Sequence, residues 1–342
     1  MSNIPKISYT DYPPDTAADI ARLRQRIEAS GLPPKRTDYN LLVGTWNIRA
    51  FSEVHRQWTE NSGSPKRNLR ALAVIAEVIR RFDVMAIQEV KRDTSGLRLL
   101  VEQFLGHHWA VIISDVSGGS GGNTERLGFV YDTRRVQPSG LAGEIVLPPI
   151  EDGAPTEQFV RTPYIVGFQA AQERFALLTA HIKYGNMPEA RLPELRRLAN
   201  YIATEIRDRL TEESEERNLM VLGDFNIDKR GDNPLFQAFV STGLIVPMAL
   251  RDLKTTFGTE PKYYDQIAWF MGAFDLMSED RAGVIDFTEA VFPEITPWQM
   301  SYRVSDHFPL WVEFIIDRST EQLARTLGID PAMPDPLNHI DD

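Results

Sequence analysis

Apolar residues recur along this chain with two periods. In "DTAADIARLRQRIEASG", Ile20, Leu23 and Ile27 share one helical face; Asp15 or Thr16 can cap its start and Gly31 ends it. "SPKRNLRALAVIAEVIRRF" repeats the spacing with Leu69, Leu72, Ile75 and Ile79, and Ser64 before Pro65 supplies a helix start. Residues 189–210 predict a further helix with Leu195, Leu198, Ile202 and Ile206 on one stripe. Other apolar runs have strand length: "LLVGTWNI", "DVMAIQEV", "RLGFVYD", "AGEIVL", "TPYIVGFQ", "RFALLTAHI", "NLMVLGDFN", "YYDQIAWF" and "FPLWVEFII". Between them lie a linker ("PPKRTDYN"), a glycine-rich loop at 117–123 and an acidic loop ("TEESEER"). One short helix follows Asp317, and no internal repeat is present. Many strands with a few long helices predict sheets packed face to face with helices outside, in a single α/β or α+β domain.

The strands share a second property: they run into polar residues. Asn47 ends one, Gln88 and Glu89 another, His181 a third, and Asp224 with Asn226 a fourth. Asp265 opens a strand, and Asp306 and His307 immediately precede the last. If the strands lie side by side, these groups meet at one rim, where ligand sites are commonly built. Asp224 and Asn226 are two apart and so lie on one face of a strand; Asp228 reads as a turn former. A lone Asp or Asn after a strand is usually a turn residue, so only the joint set carries weight. Carboxylates and amides without thiolates suit a hard ion such as Mg²⁺, Mn²⁺ or Ca²⁺ rather than a structural zinc. Histidines can donate to an oxyanion or move a proton near neutral pH, and a neighbouring carboxylate fixes the tautomer. This is equipment for attack by water on a phosphorus ester.

Composition changes the picture in three ways. With 342 residues, 42% of them hydrophobic, the chain can bury one large core. Its 37 Lys plus Arg against 48 Asp plus Glu leave a net charge of −11, which counts against a polyanionic substrate unless a metal ion and local arginines reverse the field at one cleft. The absence of cysteine excludes disulfides and thiolate chemistry. No apolar run approaches the roughly 18 residues of a membrane span, and the N-terminus shows no secretory signal, so a cytoplasmic location is expected. No basic amphipathic helix or aromatic wedge for a membrane is visible. The 189–210 helix offsets Arg191, Arg196, Arg197, Arg207 and Arg209 with Glu189, Glu194, Glu205 and Asp208.

"WNI", "IQE", "AH", "GDFN", "YDQI" and "SDH", in that order, resemble the motifs of the endonuclease/exonuclease/phosphatase superfamily over about residues 41–316. The resemblance implies a four-layered sandwich of two mainly antiparallel β-sheets flanked by helices, and metal-dependent phosphoester hydrolysis. It also implies an N-terminal extension with one helix (1–40), a catalytic domain (41–316) and a C-terminal tail (317–342). Family substrates range from DNA to sphingomyelin, inositol phosphates and nucleotide adducts, so the fold does not name the substrate. "NIRAF", "QEVKRD", "ISDVSGG", "ERLGFVYDTRRV" and "RTPYIVGF" are similar to the deoxyribonuclease I branch.

Carried over on those motifs, Glu89 would hold the metal (Mg²⁺, with Mn²⁺ or Ca²⁺ as alternatives), with Asn47 and Asp306 nearby. His181, steadied by Asp115, would donate to the phosphate or the leaving oxygen. His307, paired with Asp265, would act as base or stabilise the charged transition state, while Asp224 and Asn226 orient water and phosphate. Arg49, Lys91, Arg92, Arg126, Arg161 and Lys183 are the candidate phosphate contacts. The extension, the lack of disulfides and "IKYG" after His181 depart from the secreted nucleases. The expectation is a DNA endonuclease using in-line attack by water. The alternatives are a phosphoesterase acting on a phospholipid head group or small phosphate ester, which the acidic charge would suit, and a binding protein without activity. Against the last, every candidate position carries a competent side chain.

Overall fold

In the computed structural model, which describes residues 7–149, 155–185, 187–206, 218–258, 260, 262–270, 276–331, 333 and 335–339, two six-stranded sheets face each other. The first has the order β11-β12-β1-β2-β4-β3 and the second β5-β6-β7-β8-β10-β9. The first comprises β1 (Asn40–Phe51), β2 (Val84–Lys91), β3 (Trp109–Ile113), β4 (Glu125–Asp132), β11 (Ala282–Val284) and β12 (Leu310–Ile315). The second comprises β5 (Gln137–Glu144), β6 (Tyr164–Ala170), β7 (Glu173–His181), β8 (Asn218–Asp224), β9 (Leu244–Ile245) and β10 (Asp265–Phe270). β1 and β2 pair parallel, as do β7 and β8; the other pairings among the described residues are antiparallel. Each parallel pair is joined through a helical crossover, as parallel strands require.

The period-2 alternation of the strands sorts their residues into layers. Leu41, Val43, Val84, Ala86, Phe129, Phe175, Leu177, Leu222, Ile267 and Val312 point between the sheets and form the central core. Leu42, Trp46, Met85 and Ile87 point outward under the helices Pro14–Ala29, Leu69–Ile79 and Ser95–Leu99 with its continuation Leu100–Leu105. Ala176, Leu178, Val221 and Ala268 point outward under the helices Leu192–Tyr201 and Pro234–Val240. Helices, sheet, sheet, helices make the four-layered α/β sandwich.

Several boundaries differ from the pattern reading. The second long helix starts at Leu69, not at Ser64-Pro65, because Asn68 caps it: its side-chain oxygen accepts from Ala71 N at 3.0 Å. The 189–210 helix starts at Leu192 and widens at Ile202–Ile206, and residues 207–210, like the acidic loop at 211–217, lie outside the described residues. β5 begins five residues before "AGEIVL". β1 and β2 run beyond Asn47 and Glu89 through a bulge, in which Ile48, Arg49 and Ala50 oppose Glu89 alone. Ala50 (φ 45°) and Glu89 (φ 61°) both occupy the left-handed region there. The glycine-rich loop holds one helical turn, Gly119–Gly122. No helix among the described residues is long and apolar enough to cross a membrane.

Candidate active site

At one end of the sandwich the inward-facing positions change from apolar to polar. β1 continues Leu41, Val43 with Thr45 and Asn47; β7 continues Phe175, Leu177 with Thr179 and His181. β8 ends at Asp224, and β10 begins at Asp265. Strand register then fixes a row: His181 lies beside Asp224, and Asp224 beside Asp265. The close approach of β7 and β8 requires Gly223, at φ 139°, since a Cβ there would sit 2.2 Å from the Ala180 carbonyl oxygen. Gln88 ties the sheets together, donating to Thr45 Oγ1 (3.1 Å) on its own sheet and Thr179 Oγ1 (2.9 Å) on the other.

Asp224 is the hub of the row. Its Oδ2 accepts from Asn47 Nδ2 at 3.0 Å and lies 3.4 Å from His181 Nε2 and 3.8 Å from His307 Nε2. Its Oδ1 accepts from Asn226 N at 2.9 Å. Asn226 adopts φ 51° and donates its side-chain amide to the Ile182 carbonyl at 2.7 Å, which locks the turn after β8. Both imidazoles therefore aim Nε2 at one point, and each is held from behind by a carboxylate. His307 Nδ1 lies 2.8 Å from Asp265 Oδ2, and His181 Nδ1 lies 3.0 Å from Glu125 Oε2. Beside His307 opens a cavity of 350 Å³ lined by Thr256, Lys262, Tyr264 and Asp306 among others.

Burial acts against charge on His307, but Asp265, Asp224 and Asp306 outweigh it and push the ring up to about 10. His307 is thus an imidazolium donor at neutral pH. Burial pushes the Glu125 carboxyl up, yet the His181 ring, Arg161 and Lys91 together hold it well below the usual carboxylate range. Arg161 Nε lies 2.5 Å from Glu125 Oε2, and Lys91 Nζ lies 2.9 Å from its Oε1.

The model of the endonuclease/exonuclease/phosphatase family matches residues 44–270, two thirds of the chain. The chain belongs to this family. It is 27% identical over 295 residues to a deoxyribonuclease of Thioalkalivibrio sp. (strain K90mix), covering 83% of this chain and 73% of that one. It is 27% identical over 195 residues to deoxyribonuclease gamma of Rattus norvegicus, covering 55% of this chain and 56% of that relative's length. Among solved structures, mannosyl-6-phosphatase Bt3783 of Bacteroides thetaiotaomicron VPI-5482 superposes with a TM-score of 0.52 at 19% identity, over 80% of this chain and 99% of that one. At that identity the likeness speaks to the fold alone.

Within this family member, the expected partner of His181 needs correction. Asp115 lies in the loop after β3 with its side chain 86% exposed, and its Oδ1 is 3.4 Å from Arg126 Nη1. Glu125 occupies the place behind His181 instead. It had a signal in the sequence, because Glu125, Leu127, Phe129 and Tyr131 alternate onto the inner face of β4. The same alternation turns Arg126 away, toward the Ser114 carbonyl (2.8 Å). Asp306 faces Arg49 Nη1 at 3.3 Å. Lys91 is held by Glu125, Arg92 is exposed, and Lys183 uses its backbone N–H on Glu194 at 3.1 Å. Asp228 is more than a turn former, since Arg191 Nη1 binds it at 2.9 Å and also binds the Asn226 carbonyl at 2.7 Å.

Two supports left no mark in the hydrophobic pattern. Ser305 Oγ donates to the Asn47 carbonyl at 2.5 Å and accepts from His307 N at 3.1 Å, joining two motifs. Arg67 is buried and donates to the carbonyls of Arg49, Ala50, Arg303 and Val304, so it clasps the Asn47 and His307 segments together. Burial lowers its guanidinium to about 10, and it remains charged at neutral pH.

The donor set suits a hard divalent ion. Glu89 Oε1 accepts from Asn47 Nδ2 at 3.1 Å and its Oε2 from Ala50 N at 2.9 Å, so the bulge presents this carboxylate at the rim. Asn47 Oδ1 is buried without a hydrogen-bond partner, an oxygen that a cation would satisfy. Glu89, Glu125 and His181 place ligand-type atoms within 4.8 Å of one another, as do Asp224, Asp265 and His307. Glu125 is already engaged by Arg161 and Lys91, whereas each Glu89 oxygen accepts one hydrogen bond and keeps a lone pair for an ion, and Asn47 Oδ1 has no partner.

Proposed function

We propose that this protein is a divalent-metal-dependent DNA endonuclease that cleaves a phosphodiester bond by in-line attack of water. The observation that carries the reading is the convergence of His181 Nε2 and His307 Nε2 on Asp224, each ring backed by its own carboxylate. In-line displacement has two apical oxygens, one arriving and one leaving, and the two imidazoles with Asp224 between them are the groups that would exchange protons with them. His307, charged, donates a hydrogen bond to oxygen that gains charge in the transition state. Asp224, its own orientation fixed by Asn47 and Asn226, would hold the attacking water in line and accept its proton. Arg161, whose Nη1 is buried without a hydrogen-bond partner next to Glu125, would donate to a phosphate oxygen. Glu89 and Asn47 would hold Mg²⁺, which when bound offsets negative charge on the phosphate.

The named deoxyribonucleases among the relatives support DNA as the substrate. Supercoiled plasmid nicking with Mg²⁺ tests the reading. Wild-type protein should convert plasmid to open circles and lose this with chelator, and His181→Ala and His307→Ala should each lower the rate by roughly 10²–10⁴-fold. Undiminished nicking in both variants sinks the proposal. Selective release of phosphate from a sugar or inositol phosphate, or of a lipid head group, with plasmid left intact would transfer the same chemistry to a smaller ester.

A further inference from the structure

We infer that the cleft is built for single-stranded DNA, with unpaired bases stacked on two aromatic stations, one on each lip. The inference rests on the DNA reading above and narrows it. On the first sheet's side, the helix Pro297–Ser301 carries Trp298 with 67% of its surface exposed. Its ring meets Tyr302, 39% exposed, edge-on at 4.9 Å between centroids. The Arg49 guanidinium lies 3.9 Å over the Tyr302 ring and reaches Ser301 Oγ at 2.7 Å and Asp306 at 3.3 Å, beside His307. On the second sheet's side, Tyr184 follows three residues after His181 and is 57% exposed. It sits edge-on to Tyr264 at 6.1 Å, with the Arg191 guanidinium 4.4 Å over it, and Tyr264 is 6.0 Å from the His307 ring.

A single exposed apolar residue needs no explanation. Two aromatic pairs, each backed by an arginine and each tied to the segment bearing a catalytic histidine, do. An aromatic face accepts any base whose own face is free, and here the arginines brace the rings, Arg191 being buried and held by Asn226 and Asp228 and Arg49 held by Asp306. In a duplex those faces are occupied by neighbouring bases, so the arrangement favours a strand whose bases are unstacked. A lipid surface fits less well. The chain segment around Trp298 exposes Glu294, Thr296 and Gln299 as well as Pro293 and Pro297, and the helix that carries it has five residues and no basic side chain to meet a head group.

The experiment uses the full chain with Mg²⁺, an oligonucleotide and the duplex of the same sequence, comparing wild type with Trp298→Ala, Trp298→Phe and Tyr184→Ala. Wild type should cut the single strand at least about tenfold faster in kcat/KM, and each alanine variant should lower the single-strand to duplex ratio by roughly tenfold, chiefly through KM, with phenylalanine restoring it. Equal cutting of both forms by wild type overturns the inference while leaving the DNA reading standing, as does an unchanged ratio in both alanine variants. Failure to cut either form removes the DNA reading itself. Trp298-dependent sedimentation with phosphatidylcholine–phosphatidylserine vesicles, without a change in the ratio, would reassign the aromatics to a membrane.

Discussion

At the scale of residues, the site separates what sequence can and cannot tell. Asn47, His181, Asp224, Asn226, Asp265 and His307 were legible because each interrupts an apolar run, and a polar group there needs a partner. The partner of His181 was not legible from motif position, because a glycine-rich loop separates Asp115 from the strand that carries Glu125. Glu125→Gln should lower turnover by roughly 10²-fold or more by releasing the His181 tautomer. Asp115→Asn should leave turnover near wild type, and steady-state kinetics on one DNA substrate decides between the two carboxylates. His307 supplies a pH prediction. Its folded value of about 10 lies above the 6.5 of a free imidazole, so its contribution to stability is complete below about 6.5 and is lost as pH rises through about 10. Urea denaturation across that window should show stability falling with pH, with a shallower slope in His307→Gln. An identical slope in the variant would assign the loss to other groups.

At the scale of elements, alternation explains more of the site than motif spacing does. The two facing inner surfaces carry apolar residues along most of their length and polar ones at one end, and β1 and β4 of the first sheet and β7, β8 and β10 of the second each add a side chain to that end. The order of the strands was not readable, since hydrophobic period says which face is buried but not which strand is adjacent. The bulge that presents Glu89 was hidden for a related reason: it breaks the alternation, and only the pairing of Asn47 with Gln88 and Phe51 with Val90 reveals it. Gly223 tests the register that aligns the row. Gly223→Ala must push β7 from β8 and hold alanine at φ 139°, and should cost about 3 kcal/mol in thermal or urea unfolding with loss of turnover. Gly231→Ala, with φ 74° but open space around it, should cost only about 1 kcal/mol and keep activity. Equal costs for the two would deny the close approach its importance.

At the scale of the whole molecule, the N-terminal helix Pro14–Ala29 joins the outer core of the first sheet through Ile20, Leu23 and Ile27. Its amphipathic pattern forecast a buried face, but nothing in the pattern identified what that face covers. The buried Asp19 supplies the polar part of the contact. It accepts from Arg70 at 2.8 Å on the helix Leu69–Ile79 and from Phe292 N at 3.1 Å, and Arg70 also binds Glu294. The segment anchored at Phe292 leads directly into Trp298, Ser305 and His307. Removing the carboxylate strips the Phe292 N–H of its acceptor and takes from Arg70 its fully buried partner, leaving that nearly buried guanidinium only the exposed Glu294 and Asp15. Asp19→Ala should therefore destabilise the protein by about 2 kcal/mol, and the double variant Asp19→Ala, Arg70→Met should recover part of that loss because no buried charge then remains, the carboxylates of Glu294 and Asp15 being open to water. If the double variant is as unstable as the sum of the single ones, the pair is uncoupled and the helix is held by its apolar face alone. Nicking assays on the recovered double variant then show whether the Phe292 anchor shapes the His307 side of the cleft: activity restored with stability means the anchor is only a brace, whereas a stable, slow enzyme places the N-terminal helix in control of the cleft's geometry.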